Sequence, residues 1–282
     1  MNHIDIRSSD GVRLPLSWYP AKMPKWTLLF LPALGIQCRM YETLAKILAA
    51  SGCSVCLMEQ RGHGRSPLRA SRSVNWGYDD YLEKDIPATL QWIQQQETAS
   101  DTPLILAGHS LGGHLSSIYS GQHPGQVDGV AHVACGSPYY ADFSMPFSLG
   151  IRLLCHIQPL FRVFSGYFPG SLVGFAGRES LQLMRDWRDW ASTGRLDYGQ
   201  HRNLHDDVAN FTGPVLAISM AGDRYSSKKA EQTALQAFTR ARISQLRIGD
   251  ESTGDMPGHF AWARKPERVS QAILEWLGRE FA

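Results

Sequence analysis

The sequence has little of three features that would place a protein in a special class: cysteine, charge of one sign and long apolar runs. Its five cysteines, an odd number among 282 residues, argue against a disulfide framework and favour reduced thiols. The 28 Lys and Arg residues nearly balance the 26 Asp and Glu residues, so no charge excess points to a nucleic acid or an acidic partner. We expect a protein that acts on small molecules.

The chain also lacks a targeting or membrane signal of the usual kind. No uninterrupted apolar stretch is long enough to cross a bilayer, and residues 1–20 have polar side chains where a signal peptide has its apolar centre. We therefore expect a cytoplasmic protein with no stable membrane insertion. The sequence leaves its oligomeric state open.

Hydrophobic residues make up 43% of the chain, enough to fill a large core, and buried runs alternate with amphipathic ones. Continuous apolar strands separated by amphipathic helices indicate a mostly parallel sheet with helices on both faces, here with an antiparallel start through the Asp10-Gly11 turn. The predicted fold class is therefore α/β with eight strands. The eight predicted strands are 4–9, 12–19, 26–31, 53–58, 103–107, 127–135, 215–220 and 243–248. The predicted helices are 40–51, 81–96, 111–122, 228–240 and 266–280.

Residues 138–213 interrupt this alternation between the sixth and seventh strands. A structureless loop of that length is improbable inside a compact domain, so we predict a helical cap inserted into a core domain formed by 1–137 and 214–282. The cap is rich in aromatic residues, which could line an apolar substrate pocket, cover a dimer surface or form the cap's own small core. The predicted pocket residues are Tyr139, Tyr140, Phe143, Phe147, Trp187 and Trp190.

The run GHSLGG, residues 108–113, places one serine among three glycines, between a predicted strand and a predicted helix. Ser110 fits the G-x-S-x-G pattern, whose serine lies on a sharp turn with strained backbone angles that only small neighbours tolerate. The simpler interpretation is a serine that caps a helix after a glycine turn. The strand before it and the helix after it favour Ser110 as a nucleophile.

A serine hydroxyl is a weak nucleophile near neutral pH, so it needs a base and an acid that orients the base. Asp223 follows the strand at 215–220, and His259 lies in the loop after the last strand. The carboxyl ends of parallel strands meet at one edge of a sheet, where the Ser110 turn also lies. We predict a triad of Ser110, Asp223 and His259, with Asp142 after the sixth strand as the rival acid.

A tetrahedral intermediate also needs two backbone N–H donors for its oxyanion. Leu111, which follows the nucleophile, is predicted to supply one of them at a helix N-terminus. The loop after the third strand should supply the other, and we choose Leu34 because Pro32 has no N–H. Ala33 and Gly35 are the alternatives if the loop turns differently.

Two further patterns give weaker evidence of a chemical role. Cys53 and Cys56 form a C-x-x-C, but their odd separation in a buried strand sends them to opposite faces, which favours two core thiols over a redox or metal pair. His201 and His205 have the spacing of a zinc-binding helix but lack the glutamate of H-E-x-x-H, so we interpret them as surface histidines.

Together with the GHSLGG run, EQRGHGRS at 59–66, AGDRYSS at 221–227 and GHF at 258–260 resemble the α/β-hydrolase superfamily over nearly the whole chain. More narrowly, the chain resembles a bacterial group of predicted α/β hydrolases that carry an insert before the acid and whose substrates are poorly defined. The narrower likeness lies in residues 31–52, 75–93 and 185–196.

Two positions depart from the superfamily pattern. Pro32-Ala33 stands where many members have His-Gly in the oxyanion loop, which bears on the identity of the second oxyanion donor. Glu59 replaces the usual aspartate of the D-x-R-G-x-G motif, and we expect it to change how Arg61 is anchored. We interpret Arg61 and the glycines that follow it as turn structure.

The predicted chemistry is that of a serine hydrolase of carboxylesterase or lipase type. His259 takes the proton from Ser110, which attacks a carbonyl carbon, and water then hydrolyses the acyl-enzyme. The expected substrate is a carboxylic ester with an apolar acyl or alcohol part; a thioester, lactone or activated amide stays open because a fold does not choose among them. No cofactor or metal is implied. The alternatives are an acyltransferase of the same fold and a binding protein that has lost turnover.

Overall fold

A mixed sheet of eight strands forms the centre of the computed structural model, which describes residues 1–97 and 101–282. The strands are β1 Asn2–Arg7, β2 Arg13–Tyr19, β3 Trp26–Leu31, β4 Cys53–Met58, β5 Leu104–His109, β6 Gly129–Val133, β7 Phe168–Pro169, β8 Arg178–Glu179, β9 Pro214–Met220 and β10 Arg242–Ile248. The order across the large sheet is β1-β2-β4-β3-β5-β6-β9-β10. Strand β2 pairs antiparallel with both its neighbours, and the pairs from β4 to β10 are parallel. The predicted α/β class and the eight strands are confirmed.

The middle strands form because nearly all of their residues are apolar or small, the exceptions being His109 and His132, and because the strands are covered on both faces. All residues of β3, β4, β5 and β6 are buried. One core cluster lies on each side of the sheet, and Cys53 and Cys56 fall into different clusters. The two thiols therefore occupy opposite faces of β4, as their spacing predicts, and both are free and buried.

The helices cover the two faces of the sheet. They are α1 Glu42–Ala50, α2 Tyr78–Asp80, α3 Ile86–Gln94, α4 Leu111–Gln122, α5 Phe147–Ile157, α6 Phe161–Phe164, α7 Gly170–Val173, α8 Leu181–Thr193, α9 Leu204–Val208, α10 Lys228–Leu235, α11 Gly258–Ala261 and α12 Glu267–Glu280. A π-helical turn, Tyr81–Asp85, joins α2 to α3. The helix thus begins three residues before the predicted start at 81, because the Asp80 carboxylate accepts a hydrogen bond from Gly77 N at 2.8 Å and caps it there. Among the described residues, no helix combines the length and the apolar content needed to span a bilayer.

The segment between β6 and β9 contains α5 to α9 and the short antiparallel pair of β7 and β8. The pair was not predicted, because strands of two residues are too short for a period to show. Several hydrogen bonds and ion pairs join this segment to the rest of the chain, among them three that are buried or partly buried. His63 Nε2 lies 3.0 Å from Glu179 Oε2 with both side chains buried, Leu183 N donates to Trp76 O at 2.9 Å, and Tyr78 N donates to Asp186 Oδ2 at 3.0 Å.

Candidate active site

Ser110 lies on a sharp turn between the end of β5 and the start of α4. Its φ of 52° and ψ of −113° fall in a region that residues with side chains rarely adopt. Backbone hydrogen bonds hold the turn: Ser110 N donates to Val133 O at 3.1 Å, and Gly113 N donates to Ser110 O at 2.9 Å. This strained strand-to-helix turn projects the serine hydroxyl above a helix N-terminus.

The three glycines around Ser110 are needed because the backbone packs closely on every side. A Cβ on Gly108 would lie 2.1 Å from the carbonyl carbon of Gly112, and one on Gly112 would lie 2.0 Å from Leu31 O. A Cβ on Gly113 would lie 2.6 Å from Cys135 Sγ. A side chain at Gly108, Gly112 or Gly113 would therefore push α4 away from β5, from β3 or from the residues after β6, respectively.

His259 stands on α11 at the carboxyl edge of the sheet, where Asp223 follows β9. Its Nδ1 lies 2.8 Å from Asp223 Oδ2 and 3.0 Å from Asp223 Oδ1. The carboxylate is itself held by Tyr225 N and Ser226 N, which donate to Oδ1 at 2.8 and 2.9 Å. Because Nδ1 faces a carboxylate it carries the proton, and Nε2 is left as an acceptor. No hydrogen bond joins Ser110 to His259 among the described residues, although both line one cavity.

Asp142, the rival acid, is buried but does not reach the histidine. Its nearest charged partner is Lys229, whose Nζ lies 3.6 Å from Asp142 Oδ1. Asp142 Oδ2 has no hydrogen-bond partner within the described part of the chain. The geometry therefore favours Asp223 as the residue that orients His259.

Ser110 and His259 open into a cavity of about 540 Å³. Its walls are largely apolar and come from the loop after β3, from α5, from α7 and the residues after it, and from α8. No Asp, Glu, Lys or Arg side chain among the described residues lines it. Leu34 and Leu111, the two predicted oxyanion donors, line the same cavity.

The loop after β3 is a tight turn in which the Leu34 N–H has no hydrogen-bond partner among the described residues. Ile36 N donates to Ala33 O at 3.0 Å and closes the turn, with Gly35 at its centre at a φ of 78°. Ala33 N donates to the Tyr41 hydroxyl at 3.1 Å and is therefore not free to bind an oxyanion. Ala33 is therefore disfavoured, Gly35 stays open as the alternative, and Leu34 stays the predicted second donor beside Leu111, whose N–H begins α4.

Tyr41 is a positioning residue that the sequence does not reveal. Its hydroxyl accepts from Ala33 N and lies 2.8 Å from His109 Nδ1, so it joins the oxyanion loop to the residue before the nucleophile. Burial lowers the pKa of His109 well below its usual range, so this ring is neutral and adds no positive charge beside His259. The two imidazole rings are 4.8 Å apart between centroids.

Tyr41→Phe should lower kcat for ester hydrolysis by about tenfold to a hundredfold with KM nearly unchanged, because the oxyanion loop loses the hydroxyl that holds Ala33. Steady-state kinetics on a p-nitrophenyl ester measure both constants. Tyr78→Phe is the matched control, since it also removes a buried hydroxyl, but one that has no hydrogen-bond partner among the described residues. An equal loss of kcat in both variants would mean that the effect is general destabilisation.

The structure brings only some of the predicted pocket residues to the cavity. Phe143, Phe147 and Trp187 line the cavity, whereas Tyr139, Tyr140 and Trp190 do not. Tyr139 and Tyr140 pack on each other, and Arg152 lies 5.3 Å from the centroid of the Tyr140 ring. Trp190 packs against His114, with ring centroids 4.5 Å apart, and belongs to the core. The remaining walls come from residues that the sequence did not single out, among them Leu153, Leu154, Phe175 and Phe260.

His114 is a polar side chain in the cavity wall that sequence reasoning missed, as is Tyr225. His114 lies one helical turn after Ser110, and its Nε2 lies 2.8 Å from Gly136 O. Burial lowers its pKa to about 4, so the ring is neutral at pH 7, and its Nδ1 has no partner among the described residues. A G-x-S-x-G match carries no information about this position.

Glu59 does not anchor Arg61, which corrects the expectation from the altered D-x-R-G-x-G motif. Arg61 makes a buried pair with Asp85, with Nε–Oδ2 at 2.8 Å and Nη2–Oδ1 at 2.6 Å. Glu59 instead accepts hydrogen bonds from Cys38 N at 2.9 Å and Arg65 N at 3.3 Å. It therefore ties the loop after β4 to the segment that follows the oxyanion loop.

His201 and His205 do not form a metal site. His201 is exposed and its Nε2 lies 3.0 Å from Glu83 Oε1, while α9 begins only at Leu204. Across the described ranges, no group of three or more His, Cys, Asp or Glu side chains is arranged to hold a metal ion.

The sheet order, the covering helices and the turn at Ser110 define an α/β-hydrolase fold. The sequence agrees with this class. Residues 22–189 match the family described as serine aminopeptidase, S33, and the chain belongs to that family of α/β hydrolases.

Individual relatives are more distant. Monoglyceride lipase of Mus musculus is 26% identical over 117 residues, which are 42% of this chain and 37% of that protein. The chain thus spans less than half the length of the curated relatives that it matches. The α/β hydrolase GrgF of Penicillium sp. sh18 has a TM-score of 0.69 at 15% identity, with 99% of this chain and 98% of that chain covered. A thermophilic esterase of Thermogutta terrifontis has a TM-score of 0.66 at 14% identity, with 100% of each chain covered. These structural likenesses support the fold.

Proposed function

We propose that the protein is a serine hydrolase of carboxylesterase or lipase type, which cleaves an ester with an apolar acyl or alcohol part through an acyl-enzyme on Ser110. One observation carries this proposal. A serine on a strained turn and a histidine oriented by a buried carboxylate open into the same apolar cavity. Related thioesters and lactones present the same carbonyl to the same groups.

In the proposed reaction, His259 Nε2 removes the hydroxyl proton as Ser110 Oγ attacks the carbonyl carbon. The N–H groups of Leu34 and Leu111 donate to the oxyanion that forms. The tetrahedral intermediate collapses, and His259 gives its proton to the leaving alkoxide, which departs as an alcohol. A water molecule deprotonated by His259 then attacks the acyl-enzyme, and collapse of the second tetrahedral intermediate releases the carboxylic acid and restores Ser110.

The cavity supports an ester rather than the amino-terminal peptide that the family description suggests. A protonated amino terminus enclosed in an apolar site would need a carboxylate partner, because an unpaired buried charge is costly. None of the described Asp or Glu side chains lines the cavity, and Asp223 is already engaged with His259. The family name therefore fits the fold better than it fits the lining of this site.

We also propose that residues 138–213 form a cap on a core made of 1–137 and 214–282, as in the bacterial group that the sequence resembles. The support is the origin of the cavity walls: α5, α7 and α8 supply one side, while the loops after β3, β5 and β10 supply the other. This arrangement assigns the chemistry to the core and the choice of substrate to the cap.

A series of p-nitrophenyl esters of increasing acyl length tests both parts of the proposal. We expect Trp187→Ala to raise the ratio of kcat/KM for long over short acyl chains by about tenfold or more, because removal of the indole enlarges the apolar cavity. Tyr140→Ala is the matched control, an aromatic residue of the same segment that lies outside the cavity, and it should keep the parent profile. Identical profiles for parent and Trp187→Ala would mean that the segment serves packing only.

A further inference from the structure

Most of the large apolar side chains that stand exposed on the described residues fall within one stretch, 145–173. Each exposes more than a third of its surface, and Phe164 and Leu172 expose 79% and 83%. We call the following six residues the apolar face: Leu149, Leu153, Leu160, Phe164, Leu172 and Val173. Clusters of this kind on a folded protein mark interaction surfaces rather than chance exposure.

The apolar face is continuous with the cavity that contains Ser110. Leu153 on α5 and Val173 on α7 are exposed and also line the cavity, so they lie at its mouth. Leu149 stands one helical turn before Leu153, and Leu172 adjoins Val173 in the chain. Anything that covers the apolar face therefore also covers the entrance to the catalytic site.

The charged side chains of the same stretch, residues 143–178, are all positive. No aspartate or glutamate occurs from residue 143 to residue 178, and the arginines within it, Arg152, Arg162 and Arg178, are all exposed. The carboxylates that bracket the stretch, Asp142 and Glu179, are buried. An apolar stretch whose exposed charged side chains are all arginines is complementary to apolar chains below anionic headgroups. The same arginines disfavour a second copy of the chain, because two such faces would repel each other.

We propose that the apolar face docks on an anionic lipid bilayer and holds the mouth of the Ser110 cavity against the membrane surface. The helices that carry the face, α5 to α7, have 11, 4 and 4 residues, so they lie on the surface and do not span it. A lipophilic ester can then move from the bilayer into the cavity without crossing water. This inference rests on the proposed function for its substrate, but membrane binding itself is measured without turnover.

Sedimentation of the full chain with vesicles tests the docking. We expect the protein to bind vesicles of equimolar phosphatidylcholine and phosphatidylglycerol more tightly than vesicles of phosphatidylcholine alone, and binding should weaken as salt increases. Leu172→Glu and Phe164→Glu should each weaken binding by about tenfold or more, because each removes an exposed apolar side chain and adds a negative charge. Both variants should keep the parent kcat/KM on a short p-nitrophenyl ester dissolved in buffer.

Met23→Glu is the matched control, since Met23 is 81% exposed but lies outside the apolar face, and it should bind vesicles like the parent. Ser110→Ala should also bind normally, which separates docking from catalysis. Equal binding to both vesicle types, or no binding to either, would overturn the proposal. The proposal would also be overturned if the protein dimerises in solution and Leu172→Glu abolishes the dimer, because the apolar face would then bind a second copy of the chain. If the parent protein binds vesicles but does not hydrolyse esters, the proposed function is wrong and the docking proposal stands.

Discussion

Ser110→Ala is expected to lower kcat for ester hydrolysis by a factor on the order of 10⁶ and to abolish labelling by a fluorophosphonate probe. Without Ser110 Oγ no acyl-enzyme forms, and water must attack an ester that the cavity merely binds. The remaining oxyanion donors and binding contacts sustain only a small residual rate. Steady-state kinetics on a p-nitrophenyl ester and gel detection of the labelled protein measure the two effects.

The variant should fold normally, because alanine adds nothing to the crowded turn. Ala134 already adopts a φ of 48° in this chain, close to that of Ser110, and the hydrogen bonds that hold the Ser110 turn come from its backbone. Ser137→Ala is the matched control, a buried serine near the cavity that does not line it, and it should keep both activity and labelling. Labelling that persists in Ser110→Ala would place the nucleophile at another residue.

The sheet was predictable because each of its central strands is a continuous apolar run. The order of the catalytic candidates along the chain was also informative, since parallel strands bring their carboxyl ends to one edge. Ser110, Asp223 and His259 each follow a strand by a short distance, so a correct strand assignment also placed their side chains near one another. The hydrogen bond between Asp223 and His259 agrees with that expectation.

The walls of the cavity were less predictable, because composition does not state where a side chain points. Tyr140 and Trp187 both belong to the aromatic stretch, but Tyr140 packs against Tyr139 while Trp187 faces the cavity. Tyr140 lies in a three-residue turn before α5, and α6 and α7 have four residues each, so no period distinguishes an inward side from an outward one in these parts of the segment. Leu172 and Phe164 are further examples of this difficulty. Apolar residues are expected in a core, but these two side chains are exposed.

Contacts between distant parts of the chain also escaped prediction. Glu59 was expected to bear on the anchoring of Arg61, two residues away, but Arg61 pairs with Asp85 on the turn before α3. Burial raises the pKa of Asp85 to about 6 even though Arg61 opposes the shift. Tyr41 is similar, because its role depends on the loop after β3 and on His109 meeting at one hydroxyl. Contacts between residues that lie far apart in the sequence depend on the packed structure and leave no local sequence pattern.

Asp223→Asn is expected to lower kcat by about 10⁴ with little change in KM, because Asp223 holds His259 in the tautomer that presents Nε2 to Ser110. An amide in place of the carboxylate could offer its NH₂ group to Nδ1, which would then act as acceptor and move the proton to Nε2. The imidazole would point its hydrogen toward the serine and could no longer act as the base. Binding of the ester to the apolar cavity should be unaffected, because Asp223 does not line it.

Asp142→Asn is the matched control for this variant, since Asp142 is also a buried aspartate near the carboxyl edge of the sheet, but Lys229 rather than His259 is its charged partner. We expect at most a few-fold change in kcat for it. The contrast depends on how firmly each carboxylate is held: Asp223 accepts from two backbone N–H groups directly after β9, whereas Asp142 Oδ2 is without a partner in the described residues. A fixed carboxylate keeps the imidazole in register with Ser110 through each proton transfer. A severe defect in Asp142→Asn beside a mild one in Asp223→Asn would reassign the acid and place the segment after β6 in the catalytic machinery.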